Sequence, residues 1–421
     1  MKENFFQKLF SNKSESGVAK QLPKELPDKV VNVSQEIVAG NESDVSNNKQ
    51  EQKVIVNVNF CPNAPVSVDD NPTSQTQTLA IVKLPKNIFN ATENSVIVYV
   101  QPNGEEKWSL GVFFLERSEQ DTVPKRGNRR LFDYVDGCLA KLRQWFEDAI
   151  ANFGEQCQVV IIDETIDPNE QKIQWEMLHL GTGEYLGCKA TIVHWIKQSE
   201  QSKFVPLNIS QPRNYEGRLV AYIHPDDFNH VGDSLPDAHT DLMDWQEDML
   251  QHNQQPIAIA LIHCNGHLSN GDEPNEWNWE NLNCDRLKTE VDFQRIAVNV
   301  QGRPFFLFVN APYSARLIWD KDSFSRCLTT TALSKVASGY FGTMGDVQIQ
   351  LAIDIKNKFL KLAKEKDGVK PASFLREIRK FHANDLLSYG TDKKREAEQI
   401  FSYVYYGNPD DVVKITGGEQ L

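Results

Sequence analysis

The sequence predicts an α/β fold, with a mostly parallel central sheet and helices on both faces. Two observations predict it. Short uninterrupted apolar runs recur, among them Gln158–Asp163, Arg218–Ile223, Ala258–His263 and Pro304–Asn310, and such runs are what strands buried on both faces look like. Between them stand segments with apolar residues at helical spacing. Leu131, Val135, Leu139, Leu142, Phe146 and Ile150 share one face of a helix predicted over Leu131–Phe153. Strands separated by helices need crossover connections, which are right-handed and cover both faces of a parallel sheet.

Taken in order, residues 11–53 are rich in Ser, Lys, Asn, Gln, Glu and Val and poor in aromatics. Such a segment cannot bury enough apolar surface to offset its ordering entropy, so a flexible region is expected. Before it, Phe5, Phe6, Leu9 and Phe10 read as a frayed terminus, with a short docking helix as the alternative. Lys53–Phe60 alternates Val54, Val56, Val58 and Phe60 with polar residues, which is strand-like. Ser95–Val100 and Ser109–Leu115 are predicted strands. Thr240–His252 and Phe324–Ala337 are predicted helices, Gly339–Gly342 a short strand, and Gln348–Glu365 and Ser373–Ser388 further helices. Glu396–Tyr406 is the last predicted element.

The 421 residues carry a net charge of −13, with a pI near 5.3. Binding to a phosphate backbone needs clustered Lys and Arg, so a nucleic-acid partner is disfavoured and a protein partner is expected. No apolar run approaches the roughly 18 residues of a membrane span, and the N-terminal apolar stretch is too short and polar for a signal sequence. A cytoplasmic location is expected. Seven cysteines, widely spaced and without CxxC, read as reduced thiols. No glycine spacing suits a nucleotide, so no cofactor is expected.

In parallel sheets, sites form at the carboxyl ends of strands. Two strand ends stand out. One apolar run leads into Asn265-Gly266-His267-Leu268, and Gly266 permits a tight exit. The other leads into Asn310-Ala311-Pro312-Tyr313-Ser314. Three further segments accompany them: Ile173-Gln-Trp-Glu-Met-Leu178 followed by Gly183-Glu-Tyr-Leu186, Arg218-Leu-Val-Ala-Tyr-Ile-His-Pro225, and Gly339-Tyr-Phe-Gly-Thr-Met-Gly-Asp-Val347. In this order the five features resemble the caspase-like cysteine peptidases of clan CD, in their CHAT branch.

The resemblance implies a caspase-like three-layer sandwich. It also implies a Cys–His mechanism, with the base at His267, the nucleophile at position 312, and oxyanion and cleft positions at Gly266, Leu268, Asn310, Ala311, Tyr313 and Ser314. The sequence departs from the family pattern at two of these. Leu268 replaces a glycine but keeps a backbone N–H. Pro312 replaces the cysteine, which removes the thiol and, with it, a backbone N–H. A lost oxyanion donor alone costs about 3–4 kcal/mol of transition-state stabilisation. Ala311 can still keep an extended path, because the residue before a proline prefers one.

Cys264, an odd number of residues before His267, is expected on the opposite strand face. Ser314 reads as a turn-capping hydroxyl, with a Ser–His nucleophile as the alternative. His224, Asp226, Asp227, His230, Asp233, Asp237, His239 and Asp241 form a dense Asp/His loop. It lacks fixed ligand spacing and reads as a solvated acidic loop whose Asp residues cap turns and a helix, rather than as a divalent metal site. Trp277 and Trp279 read as an anchor under a loop, with a partner-binding patch as the alternative.

The expected organisation is a flexible region over 1–80, a connecting strand region over 81–102, a caspase-like CHAT domain over 103–410 and a tail over 411–421. The expected function is that of a pseudopeptidase. It would act as a regulatory or scaffold partner of another protein, such as an active caspase-like protease or a peptide segment, in bacterial signalling or defence. The alternative is an active cysteine endopeptidase with a displaced or altered nucleophile.

Overall fold

The computed structural model describes residues 94–103, 107–114, 117–124, 140–163, 173–181, 184–196, 211–225, 227, 235, 237–253, 255–264, 267–268, 277–279, 282–283, 295–296, 305–312, 314–315, 337–387 and 392–416. The chain divides into two units, 1–75 and 76–421, and all described residues belong to the second. The expectations for Phe5–Phe10, for Lys53–Phe60 and for the 1–80 region lie outside the described residues, as do those for the helical starts at 131–139 and 324–336.

Among the described residues, the main sheet has eleven strands. In chain order they are β1 (Ser95–Asn103), β2 (Lys107–Phe114), β3 (Arg117–Pro124), β4 (Gln158–Asp163), β5 (Thr191–Ile196), β6 (Asn214–Ile223), β7 (Ile257–His263), β11 (Phe305–Asn310), β12 (Ala337–Thr343), β13 (Tyr403–Tyr406) and β14 (Val412–Ile415). Across the sheet the order is β14-β6-β7-β11-β12-β13-β5-β4-β1-β2-β3. A small second sheet joins β8 (His267–Leu268), β9 (Trp277–Trp279) and β10 (Leu282–Asn283).

Two parallel blocks make up nine strands of the large sheet, and β2 and β3 add to β1 in antiparallel at one end. β14, β6, β7, β11 and β12 run parallel to one another, and so do β13, β5, β4 and β1. The blocks meet where β13 pairs antiparallel with β12. Strand carboxyl ends therefore emerge at opposite edges in the two blocks. The join between β13 and β5 has one paired position, Tyr406 with His194.

The long helices are α1 (Ala140–Phe153), α3 (Leu242–Met249), α4 (Ile349–Ala363), α5 (Pro371–His382) and α6 (Asp392–Phe401), with α2 (Leu186–Lys189) a single turn. Alternation along the strands assigns the helices to faces. Ala221, Ile223, Phe306 and Phe308 pack with Leu351, Ile355 and Phe359 of α4 and Phe374 and Ile378 of α5. Their neighbours Val220, Tyr222, Leu307 and Val309 pack with Leu242, Trp245 and Met249 of α3. In the other block, Val96, Val98, Val159 and Ile161 pack with Leu142 and Phe146 of α1. Successive strand residues point to opposite faces, so helices cover both faces. The expected α/β class, with a mostly parallel central sheet between two helical layers, is the one observed.

The sheet extends past both expected domain boundaries. β1 begins at Ser95, ahead of the expected start at 103, and pairs with β4 over Ser95–Val100. Residues 412–415, expected to be tail, form edge strand β14 against β6, and Val369 bridges Val413. The last predicted element also divides. α6 ends at Phe401, and four consecutive buried residues, Tyr403–Tyr406, then enter the sheet as β13. The strand β5 had no counterpart in the sequence reading.

Candidate functional site

β7 and β11 are neighbours, parallel, and in register to their last residues, with Asn310 opposite His263. The two sequence segments singled out as strand ends thus emerge side by side at one sheet edge. The residues beyond β7 turn into the small sheet. His267 pairs with Asn278 and Leu268 with Trp277 in an antiparallel ladder. Only the backbone of His267, Leu268, Trp277 and Trp279 is described, and Gly266 and Tyr313 lie outside the described residues.

The turn after β11 is pinned from several sides. Ser314 N donates to Ala311 O at 3.3 Å, and Ala315 N donates to Thr343 O at 2.8 Å. Thr343 Oγ1 donates to Ala311 O at 2.9 Å, Tyr340 Oη to Ser314 O at 2.7 Å, and Tyr406 Oη to Ala315 O at 3.0 Å. Gly342 permits this approach, since a Cβ there would stand 2.7 Å from Ser314 Oγ. The Gly-Tyr-Phe-Gly-Thr segment of the sequence is therefore the surface against which the turn is seated.

Ser314 is committed to that turn. Its buried hydroxyl donates to Val309 O at 2.8 Å and accepts from Thr343 N at 3.1 Å. The proton a nucleophile would surrender is already held by a carbonyl, in keeping with the turn-capping reading. Pro312 is buried at the turn's centre. It lines a small cavity with His263, Cys264, Asn310, Ala311, Val347, Ile349, Ala352 and Tyr403. Cys264 packs with Ala311 and Ala315 on the α3 face of the sheet.

Beneath the turn lies a polar centre that the sequence reading missed. Asn310 Nδ2 donates to His263 Nδ1 at 2.9 Å and to Ala352 O at 2.8 Å. Its Oδ1 accepts from Tyr403 Oη at 2.8 Å. One amide therefore ties β7, β11, α4 and β13 together. Burial and the nearby Lys356 charge push the His263 imidazole down to about 3, so it is neutral at physiological pH. A neutral ring accepting at Nδ1 carries its proton on Nε2. Burial also lowers the Lys356 ammonium to about 8. The sequence did carry a signal for this lysine: it interrupts the apolar stripe of α4, with Ala352 four residues before and Phe359 three after.

A second polar centre sits where β13 meets β5. Glu176, from the Trp-Glu segment, is buried with its Oε1 2.7 Å from His194 Nε2 and 3.7 Å from Arg379 Nη2. Burial alone raises the Glu176 carboxyl, but the charges and hydrogen bond of His194 and Arg379 outweigh it and hold the group below the ordinary range. Arg379 Nη2 also donates to Tyr403 O at 2.5 Å, and Trp195 Nε1 to Gly407 O at 2.7 Å.

The Asp/His loop separates into structural roles. Asp241 caps α3, accepting from Met243 N at 2.7 Å and Asp244 N at 3.2 Å. His239 Nε2 lies 2.8 Å from Asp248, which also pairs with Arg218 at 2.7 Å. Asp226, His230 and Asp233 lie outside the described residues. Among the described residues, no His, Cys, Asp and Glu side chains gather into a metal-holding group, and no helix is long and apolar enough to cross a membrane.

No family model matches the chain, and no curated protein does. Among solved structures it is similar to the Arg-specific cysteine proteinase gingipain R, at 9% identity and a TM-score of 0.39, over 65% of this chain and 68% of that one. A complex of Porphyromonas gingivalis gingipain pro- and mature domains gives 9% and 0.39, over 65% and 70%. The Saccharomyces cerevisiae separase–securin complex gives 9% and 0.47 over 78% of this chain, which spans 31% of the matched one.

Proposed function

We propose that the chain is a caspase-like pseudopeptidase of the CHAT type, which binds a protein partner and does not cleave it. Its caspase-like body runs from β1 to β14, behind the region 1–80. The observation that carries this reading is the occupant of the turn beside His263. Pro312 stands where the family resemblance expects the nucleophile, with neither a thiol nor an N–H, and the hydroxyl of Ser314, two residues on, is bound to Val309 O. Peptide recognition and bond cleavage are separable, because only interactions stronger in the transition state accelerate chemistry. A cleft that lost its nucleophile can therefore keep its affinity. The family resemblance supports a setting in signalling or defence, inside the cell, with an active caspase-like protease or a peptide segment as the partner.

The competing reading is an active cysteine endopeptidase with a displaced nucleophile, for which Cys264 is the candidate because it lines the same cavity as Pro312. Cys264 is only 2% exposed and packs with Ala311 and Ala315 on the α3 face of the sheet. Intact mass spectrometry after treatment with a thiol-directed peptidyl probe separates the two. The pseudopeptidase reading expects no stoichiometric adduct on the folded chain. An adduct on Cys264 that disappears in His267→Ala overturns it.

A further inference from the structure

The two polar centres are joined through one residue. Tyr403 accepts from Arg379 on its carbonyl and donates to Asn310 from its hydroxyl. The path is continuous from the Trp-Glu segment to the strand-end turn: Glu176 to Arg379 at 3.7 Å, Arg379 to Tyr403 O at 2.5 Å, Tyr403 Oη to Asn310 Oδ1 at 2.8 Å, and Asn310 Nδ2 to His263 Nδ1 at 2.9 Å. Every side chain on it is buried.

We infer that Glu176 and Arg379 are positioning residues for the strand-end turn, acting through Tyr403. Three observations carry this. Backbone pairing fixes β13 against β12 over four positions but against β5 at only one, so side chains must set how Tyr403 stands relative to β5. The Arg379 bond to a backbone carbonyl fixes the main chain of Tyr403, and the aromatic side chain has only two soft torsions with which to re-aim its hydroxyl. Finally, Gly187 is held free of a side chain where Arg379 passes: a Cβ there would stand 2.8 Å from Glu176 O and 3.1 Å from Arg379 Cδ. The seat of Arg379 is thus built to a tolerance of less than one methyl group, more than a general core contact demands.

The consequence is a division of labour across the sheet. The Trp-Glu segment and α5, both remote in sequence from the strand-end turn, supply the anchor that orients it. This gives the Trp-Glu segment a physical reason to accompany the strand-end turn in one sequence, although Glu176 lies over 130 residues before Asn310 in the chain. The inference rests on reading that turn as the functional site, but its test reads the Asn310–His263 bond itself and not peptide cleavage or binding. Its failure is therefore distinct from failure of the pseudopeptidase reading.

The test is imidazole nitrogen NMR on His263 in the full chain, in the wild type and in Glu176→Gln, Gly187→Ala and Trp195→Phe. Trp195→Phe removes a hydrogen bond at the same join without touching the path. In the wild type, the neutral, Nε2-protonated pattern of His263 is expected to persist on acidification to about pH 5. In Glu176→Gln and Gly187→Ala, the Nδ1 resonance shifts toward that of a freely titrating ring, and titration begins above about pH 5. Trp195→Phe leaves the pattern as in the wild type. The inference is overturned if Glu176→Gln and Gly187→Ala both leave His263 unchanged, or if Trp195→Phe moves it as far as they do. Should Glu176→Gln fail to fold, Gly187→Ala, which alters no polar atom, decides alone by the same criterion.

Discussion

The two buried polar centres solve the same problem by opposite means. At the join of β13 and β5, Glu176, His194 and Arg379 meet as charges or potential charges with almost no exposure. At the strand ends, Asn310, His263 and Tyr403 meet as neutral donors and acceptors, each matched to another. Charges buried together are costly to separate, because removing one partner strands the other in a low dielectric. Neutral networks are cheaper to disrupt but fix direction more tightly, since each bond has its own geometry. The join therefore reads as the stabilising centre and the strand ends as the orienting one.

The largest effect should follow from Glu176→Ala, which leaves Arg379 buried without its carboxylate. A loss of about 3–5 kcal/mol is expected in urea denaturation. A loss under about 1 kcal/mol would mean that the join holds no strained charge and would erase the contrast. Asn310→Ala should cost less, about 2–3 kcal/mol, because it orphans two neutral groups, the Tyr403 hydroxyl and His263 Nδ1. If Asn310→Ala proves the costlier of the two, the roles of the centres are reversed.

The pH dependence sharpens the same contrast. His263 has a folded value near 3 against an ordinary 6.5. The unfolded chain therefore binds its proton first as pH falls, and stability present above 6.5 is lost on acidification through the window down to 3. Between pH 6.5 and 5 the expected loss from this group is about 2 kcal/mol. His263→Gln should remove that slope in thermal or urea melts across the window. Asp411 works in the other direction. Burial raises it to about 6, so the fold binds its proton more readily than the unfolded chain does, and it offsets part of the loss below pH 6. Acid sensitivity should accordingly be steeper in Asp411→Asn than in the wild type.

The smallest effect is expected at Ser314. Ser314→Ala loses two buried hydrogen bonds in a turn that keeps at least four others, for about 1–2 kcal/mol by denaturation. A Ser–His hydrolase would instead show folding stability untouched and a peptidase activity abolished.

Much of this architecture was legible in the chain. β7 and β11 read as strands because their residues are apolar without a break, as burial on both faces requires. β3 carries Arg-Ser-Glu-Gln-Asp-Thr, because an edge strand with a solvated side needs no apolar alternation. β13 hid behind α6, since one residue, Ser402, separates helix from strand and Tyr-Val-Tyr-Tyr carries no period of its own. At the site, Asn310 and Pro312 could be read from their neighbours. The partner of Asn310 could not: Tyr403 lies 93 residues on, and nothing local announces a hydrogen bond across that distance. His263 ends its strand four residues before His267, and a buried histidine within an apolar run carries no local sign of its Asn310 partner.

The measurement that bears most directly on an inert site is turnover of a positional-scanning library of fluorogenic peptides by the purified full chain, run beside His267→Ala and Cys264→Ala. The expected result is no turnover above the uncatalysed rate for any of the three. Turnover by the wild-type chain that disappears in His267→Ala would contradict an inert site, and its further loss in Cys264→Ala would identify the nucleophile.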